Sequence, residues 1–168
     1  MLVTLTGSNQ YFHGNKNSEI IYGINKSAQP NDPKIMGAYL GLQESSKPYD
    51  ASNPNLVMAV GNGVMWVVDK GENIEIGDYL ISSDVSGHAM KDNGFYPTTY
   101  AIARVAEPVN WAVPTETING VKHKLVSVFF ESFVRNNAQK ELEDIKKEMR
   151  EMRERIKQLE NKNASGKE

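Results

Sequence analysis

The last quarter of the chain constrains the fold more than any other part. From Asn136 to Lys162 there is no glycine, proline or aromatic residue, and the main part reads QKELEDIKKEMREMRERIKQLENK. Composition of this kind favours a long helix. Leu142, Ile145, Met149, Met152, Ile156 and Leu159 recur at alternating spacings of three and four. That is a heptad seam, with Leu142, Met149 and Ile156 at a and Ile145, Met152 and Leu159 at d. Ala138 extends it upstream and Asn163 ends it. A helix of about 25 residues runs roughly 38 Å. The competing reading is an amphipathic helix packed on its own domain. A globular helix, however, usually carries a broader apolar face than two positions in seven.

The flanking charges fix the direction of partners. The g positions are Glu141, Glu148 and Arg155, and the following e positions are Lys146, Arg153 and Glu160. A parallel in-register bundle pairs them as Glu–Lys, Glu–Arg and Arg–Glu, all attractive. An antiparallel arrangement centred on the seam sets Glu148 beside Glu148 and Arg153 beside Arg153. Mixed Leu, Ile and Met at a and d does not select a strand number. The run Arg155-Ile156-Lys157-Gln158-Leu159-Glu160 resembles the trimer-specifying motif of parallel coiled coils. In such a motif the Arg stem covers the seam while its guanidinium reaches a neighbouring Glu. A trimer is therefore expected, with a dimer as the alternative. A DNA-binding zipper would need a basic run feeding the heptads. Here the preceding segment, Val126 to Phe133, reads as a strand.

The remaining sequence must supply the core. Of the 168 residues, roughly the first 135 are left for a β-rich head, a size that gains from oligomerisation. A net charge of −2 gives no basic footprint for phosphate, so nucleic acid is not an expected partner. The chain has no cysteine, which excludes disulfides, thiolate metal sites and cysteine nucleophiles without fixing a compartment. No apolar run is long enough to span a bilayer, so membrane insertion is not expected. The opening MLVTLTGSNQ lacks the pattern of a secretory signal. Its abrupt entry into strand-like sequence suggests a piece of a longer protein.

Four zones follow. Residues 1–55 are a loop-rich β segment, punctuated at Ala28 to Pro33 and Ser45 to Pro48, and form a candidate recognition surface. Residues 56–135 read as a strand series and 136–163 as the coiled-coil helix, with a disordered tail at 164–168. Within the strand series, Leu56 to Val60, Gly61-Asn62-Gly63 and Val64 to Val68 predict a hairpin with a glycine-rich tip. Both arms are apolar on both faces, so cover on both sides is expected, with a neighbouring subunit as one source of it. Ile74 and Ile76 alternate with polar residues, Gly77-Asp78 turns, and a short strand follows at Tyr79 to Ile81. Ser82 to Asn93 is a polar loop, and Tyr100 to Val105 and Lys124 to Phe133 are the last strands.

Four blocks occur in order between Gly63 and Val109. They are Trp66-Val67, Glu75-Ile76-Gly77-Asp78-Tyr79-Leu80, Ser82-Ser83-Asp84-Val85-Ser86-Gly87-His88-Ala89-Met90 and Ile102-Ala103-Arg104. Together they resemble a module recurring near the C-terminal ends of fibre proteins in phage tails, large DNA viruses and some bacteria. The match covers under a third of the chain, and its Gly-Asp turn and loop are also ordinary hairpin grammar. The resemblance implies a trimeric, β-rich fibre end, often followed by a chaperone domain or coiled coil. Many such proteins carry an endosialidase-type chaperone whose self-cleaving Ser precedes a Leu-Lys-x-Asn-Ile/Val run. This chain lacks that run, so autoproteolysis is not carried over.

Catalytic candidates are sparse. Ser83, Asp84 and His88 sit within six residues on one loop, whereas a triad gathers groups from separated segments. Asp84 reads as an Asx-turn former and Gly87 as a positive-φ turn residue. His13, His88 and His123 stand far apart, without metal-ligand spacing. Gly61-Asn62-Gly63 is no phosphate loop, since neither a helix nor a lysine follows at the required offset. Asp69, Glu72, Glu75 and Asp78 read as solvated turn residues rather than a hydrolytic pair. No cofactor, metal or catalytic residue is expected.

Aromatics are the better lead for binding. Tyr11, Phe12, His13, Tyr39, Tyr49, Tyr96 and Trp111 lie in or beside polar, loop-like sequence. Flat apolar rings next to hydrogen-bonding groups are what a sugar-binding patch uses. The plainer role for each ring is to cover a small core, and Trp66 is expected inside it. Together these readings predict a mainly β, homotrimeric fibre head followed by a parallel α-helical coiled coil. The expected role is non-catalytic attachment to a cell-surface glycan or protein, on a virion fibre or a bacterial surface. The alternatives are a purely structural cap of a longer fibre and a glycan-processing enzyme with sites between subunits.

Overall fold

The computed structural model describes residues 1–11, 20–42, 55–113 and 116–165; the side chains of 11, 42, 55, 138–140 and 160–165 are outside that description. The protein is mainly β, with two principal sheets and one C-terminal helix. The first sheet runs in the order β4 (Ile24–Lys26), β1 (Leu2–Leu5), β5 (Ile35–Leu42), β6 (Asn55–Met58), all antiparallel. A two-stranded ribbon, β2 (Gln10–Tyr11) and β3 (Ile20–Ile21), is hydrogen-bonded separately from it.

The second sheet closes on itself. It comprises β7 (Val60–Val68), β8 (Tyr79–Ser82), β9 (Ala89–Lys91), β10 (Thr98–Val105), β11 (Glu116–Ile118) and β12 (Val121–Asn136). Pairings run β10–β8–β9–β7–β12 and then from β12 back to β10, so five strands form a ring. Only β7–β9 is parallel, and β11 is appended to the start of β12. Closure removes free edges from a small sheet. The β11–β12 turn is Asn119-Gly120, with φ of 52° and 77° between paired Ile118 and Val121. Two successive left-handed residues give the turn that matches strand twist.

β12 makes the closure possible. It pairs with β7 from His123 to Glu131 and with β10 from Val128 to Asn136, so residues 128–130 are paired on both sides. Where Ala101 faces Phe133 and Ala103 faces Phe130, β12 carries one extra residue, a bulge that bends the strand. Met65, Val67, Leu80, Ile102, Val126, Val128 and Phe130 fill the ring, each at most 2% exposed. Leu2 and Ala38 of the first sheet belong to the same core cluster, with Ile35, Met58 and Trp111 packed against it.

A buried polar latch joins the sheets. Asn31, held at φ 50°, gives its side-chain amide to the Thr98 carbonyl (2.8 Å) and accepts from the Tyr100 N–H (2.8 Å). Asp32, 2% exposed, accepts from the Thr4 hydroxyl at 2.8 Å and from the Lys34 N–H at 2.9 Å. The Ser82 hydroxyl donates to the Gln29 carbonyl and accepts from the Asp32 N–H, both at 2.8 Å. Every one of these groups has a partner, as burial of polar atoms requires.

The predicted hairpin at residues 56–68 is corrected. Leu56–Met58 belong to β6 of the first sheet, while Gly61-Asn62-Gly63 run inside β7, opposite Phe130, Phe129 and Val128. Gly63 is there for space: a Cβ would lie 2.9 Å from the Phe130 ring and 3.2 Å from Met58 Sδ. Ile74 is buried and bridges Val109, but Ile76 is exposed at the turn that Gly77 and Asp78 make, with Gly77 at φ 89°. Trp66 is half-buried rather than enclosed, and stacks on His123 with ring centroids 4.6 Å apart. Gly63→Val should lower the free energy of unfolding in urea by about 1–3 kcal/mol through overpacking against Phe130. A residue at a loop tip would tolerate the same change, so an unaltered midpoint would contradict the mid-strand placement.

Candidate functional site

The helix α1 (Ala138–Ser165) is the chain's most unusual surface. Asn137 alone separates it from β12, and its position is held by its neighbours. Its N–H donates to the Pro97 carbonyl at 2.7 Å, its side-chain amide reaches the Gly94 carbonyl at 3.3 Å, and its own carbonyl accepts the Glu141 N–H at 3.2 Å. A Cβ on Gly94, at φ 73°, would stand 3.3 Å from that amide. The start of the helix is thus clamped to the 92–97 loop.

Beyond that clamp, every residue from Glu141 to Leu159 is exposed in the single chain. The seam side chains share this state, from 47% exposure at Met149 to 61% at Leu159, with Leu142, Ile145, Met152 and Ile156 between. The helix is therefore not packed along its own head, which removes the competing reading of a covered amphipathic helix. A buried aliphatic side chain contributes about 1.5–3 kcal/mol, so six half-exposed ones leave on the order of 5 kcal/mol unrealised per chain. Lys146, Glu148, Arg153 and Arg155 flank the seam in solvent, while the Glu160 side chain is outside the described residues. The arrangement offers an apolar stripe with ordered charges on both sides, suited to another helix.

The predicted ligand-binding rings do not gather into one described patch. Phe12, His13 and Tyr49 lie outside the described residues, and of Tyr11 only the backbone is described. Tyr39 is in β5, where its backbone N–H donates to the Met1 carbonyl at 2.7 Å. Tyr96 is in the 92–97 loop beside the helix junction and packs edge-on against Phe95 at 5.3 Å. Trp111 packs against the core near the start of β12, where its carbonyl accepts from Lys122 Nζ at 3.2 Å. Tyr96 and Trp111 thus sit near opposite ends of β12, about 50 Å along a strand of that length.

A second cluster was not visible in the sequence. His88, only 7% exposed, and His123, 35 positions later, meet with Nε2 and Nδ1 2.9 Å apart. His88 Nδ1–H donates to the Ser86 carbonyl at 2.8 Å, so its Nε2 accepts from His123 Nδ1–H. His123 Nε2 in turn lies 3.5 Å from the Glu116 carboxylate. Ala89 pairs with Val67 and His123 with Val68, so β9 and β12 bring the two rings together from either side of β7, and the β11–β12 hairpin sets Glu116 opposite His123; no spacing rule could reveal it. The Ser83 hydroxyl takes no part. Its single proton is shared between the carbonyls of Val85 (3.1 Å) and His88 (3.0 Å) and its oxygen accepts from the Val85 N–H, so Ser83 and the His88 ring form no nucleophile–base pair. Asp84 pairs with Lys70 at 2.6 Å. Among the described residues no group of three or more His, Cys, Asp and Glu could hold a metal, and no helix is long and apolar enough to cross a membrane.

No family model, curated protein or solved structure matches the chain.

Burial, then the nearby charges of His123, the N-terminus and Lys26, hold the His88 pKa below its ordinary value of 6.5, against the opposing Ser86 hydrogen bond. Because the unfolded chain takes up a proton there first, His88 contributes stability that is complete above pH 6.5 and lost as pH falls through the lower, folded-state value. The urea midpoint should accordingly hold steady from pH 8 to 7 and decline toward pH 5. In His88→Gln the decline between pH 7 and 5 should be shallower; an unchanged slope would remove His88 as its source.

Proposed function

We propose that this chain is the end module of a homotrimeric fibre, in which three copies join through parallel C-terminal helices and present their β heads together. The observation that carries this reading is the uncovered seam of α1, with Leu142, Ile145, Met149, Met152, Ile156 and Leu159 about half-exposed. The g and e charges favour a copy of the same helix lying parallel and in register. The Arg155 to Glu160 pattern favours three strands over two. The resemblance of the Gly63 to Val109 blocks to fibre-end modules points to a virion fibre or a bacterial cell surface as the setting.

In that setting the module's outward role is attachment to a surface glycan or protein, without catalysis. Three copies on one axis convert weak single contacts into avid binding. The Ser83 hydroxyl, spent on backbone carbonyls, supports a non-catalytic head. The purely structural reading, a cap that ends a fibre without touching a target, is favoured by one specific observation: Tyr96 and Trp111 lie near opposite ends of β12.

Sedimentation equilibrium should give three times the chain mass, and Ile156→Lys should reduce it to the mass of one chain while the far-ultraviolet signal of the β head persists. A wild-type mass equal to one chain would end the reading. A glycan array probed with the wild-type assembly should show binding that Ile156→Lys weakens by at least tenfold; a trimer that binds nothing there or on cell surfaces favours the structural cap.

A further inference from the structure

The helix is not the only uncovered apolar surface. On β12, Val126, Val128 and Phe130 point into the ring and are at most 2% exposed, so Leu125, Ser127, Phe129 and Glu131 point outward. The facing residues of β7 are Trp66, Val64, Asn62 and Val60, in register with those four. A solvated outer face would carry polar side chains at most of these places. Here Val60 is 73% exposed, Val64 53%, Leu125 43% and Phe129 37%. Arg104, from the neighbouring β10, lies over the Phe129 ring at 5.7 Å and pairs with Glu131 at 3.0 Å, so one border of the patch is charged.

We propose that the outer face of β7 and β12, centred on Val64, Leu125 and Phe129, is a head-to-head contact between copies of this chain, continuous with the helical seam. The inference rests on the trimeric reading and adds to it where the heads touch. The occupant follows from chain continuity. β12 becomes α1 across the single residue Asn137, whose three backbone and side-chain hydrogen bonds clamp the junction. Parallel helices pack with axes about 8–10 Å apart, so the C-terminal ends of the β12 strands in three copies must converge to a similar spacing. Val134, 61% exposed, lies just before that junction, and Phe129 and Leu125 continue the apolar row away from it. Residues 125 to 134 span about 30 Å of strand leading from the head toward the junction. Of all possible partners, only another copy is delivered to this strand by the helix that follows it.

The contact closes around a threefold axis as a ring, and with this face turned toward that axis position 64 of each copy comes close to position 64 of the next. Its test uses the lack of cysteine in the chain: Val64→Cys creates one thiol per copy. Treated with a bismaleimide of about 10 Å span, matching the axis separation, the trimeric Val64→Cys protein should form a covalent dimer within each assembly. The yield should not change on tenfold dilution, and Ile156→Lys in the same chain should abolish it. The Val64→Cys thiol should also react with a simple maleimide several-fold more slowly in the trimer than in the Ile156→Lys background. A trimer that gives no dimer and in which Cys at 64 reacts at the dissociated rate overturns the contact alone, and leaves the face to a foreign partner. A wild-type chain that sediments as one copy overturns this contact and the trimeric reading together.

Discussion

β12 is hydrogen-bonded along both edges, to β7 over its first half and to β10 over its second. A strand bonded in this way cannot slip, because a shift of one residue would turn Val126, Val128 and Phe130 to solvent and Leu125 and Phe129 into the core. It also cannot run straight, since the ring must close around a small set of side chains. The extra residue opposite Ala101–Ala103 supplies the bend. Everything else is placed with respect to this strand. The Asn119-Gly120 turn delivers β11 to its start, Gly63 leaves room for its Phe130, and its last residue hands the chain to the helix.

The first sheet is attached to this ring by polar contacts as much as by apolar ones. Leu2 and Ala38 contribute to the shared core, but Asn31, Asp32 and Ser82 specify where the sheet sits. Asn31 behaves as an extra half-strand beside β10, offering a donor and an acceptor to a backbone edge that would otherwise face apolar surroundings. Leaving such groups unpaired costs about 1–3 kcal/mol each, so only one docking geometry keeps them all satisfied. An apolar interface of equal area would hold the sheet, but would allow it to slide. The backbone bonds from Leu2 to Gly87 and from Gly87 to Ser27 extend the same logic to the loop that carries His88.

The parts of this structure that a sequence can express locally were legible in it. A heptad is such a signal: spacing alone places Leu142 to Leu159 on one stripe, and the structure leaves that stripe uncovered. The Gly77-Asp78 turn was legible for the same reason. The hairpin at residues 56–68 misled because glycine has two uses. Gly61-Asn62-Gly63 has the chemistry of a tip, yet Gly63 serves to admit a ring from a strand 67 positions away, which no local pattern states. The true two-residue tip, Asn119-Gly120, lay between arms with little alternation, and went unread. His88 and His123 illustrate the same limit. Their meeting depends on β9 and β12 flanking β7, and neither neighbourhood carries a mark of it. For the candidate ligand surface, chemistry alone carries no position: Tyr96 and Trp111 lie near different ends of one long strand, and Phe12, His13 and Tyr49 lie outside the described residues.

The apolar face on β7 and β12 and the seam on α1 share a physical peculiarity. Each is regular, with side chains set by strong local hydrogen bonding, so neither can collapse to hide its surface as a loop would. Each carries charges at its border and not across its middle, as Arg104 and Glu131 do on the sheet and the g and e residues do on the helix. A single chain in water gains nothing from that pattern: an ion pair at the surface contributes at most about 1 kcal/mol, while an open apolar stripe invites indiscriminate association. Bordering charges become useful only when the stripe is buried, because they then reject partners that approach in the wrong register or direction. The strand and the helix are joined by one residue, Asn137, hydrogen-bonded to the 92–97 loop, so in the proposed trimer a partner chosen by the helix would reach the sheet already aligned, with register decided once, in the helix.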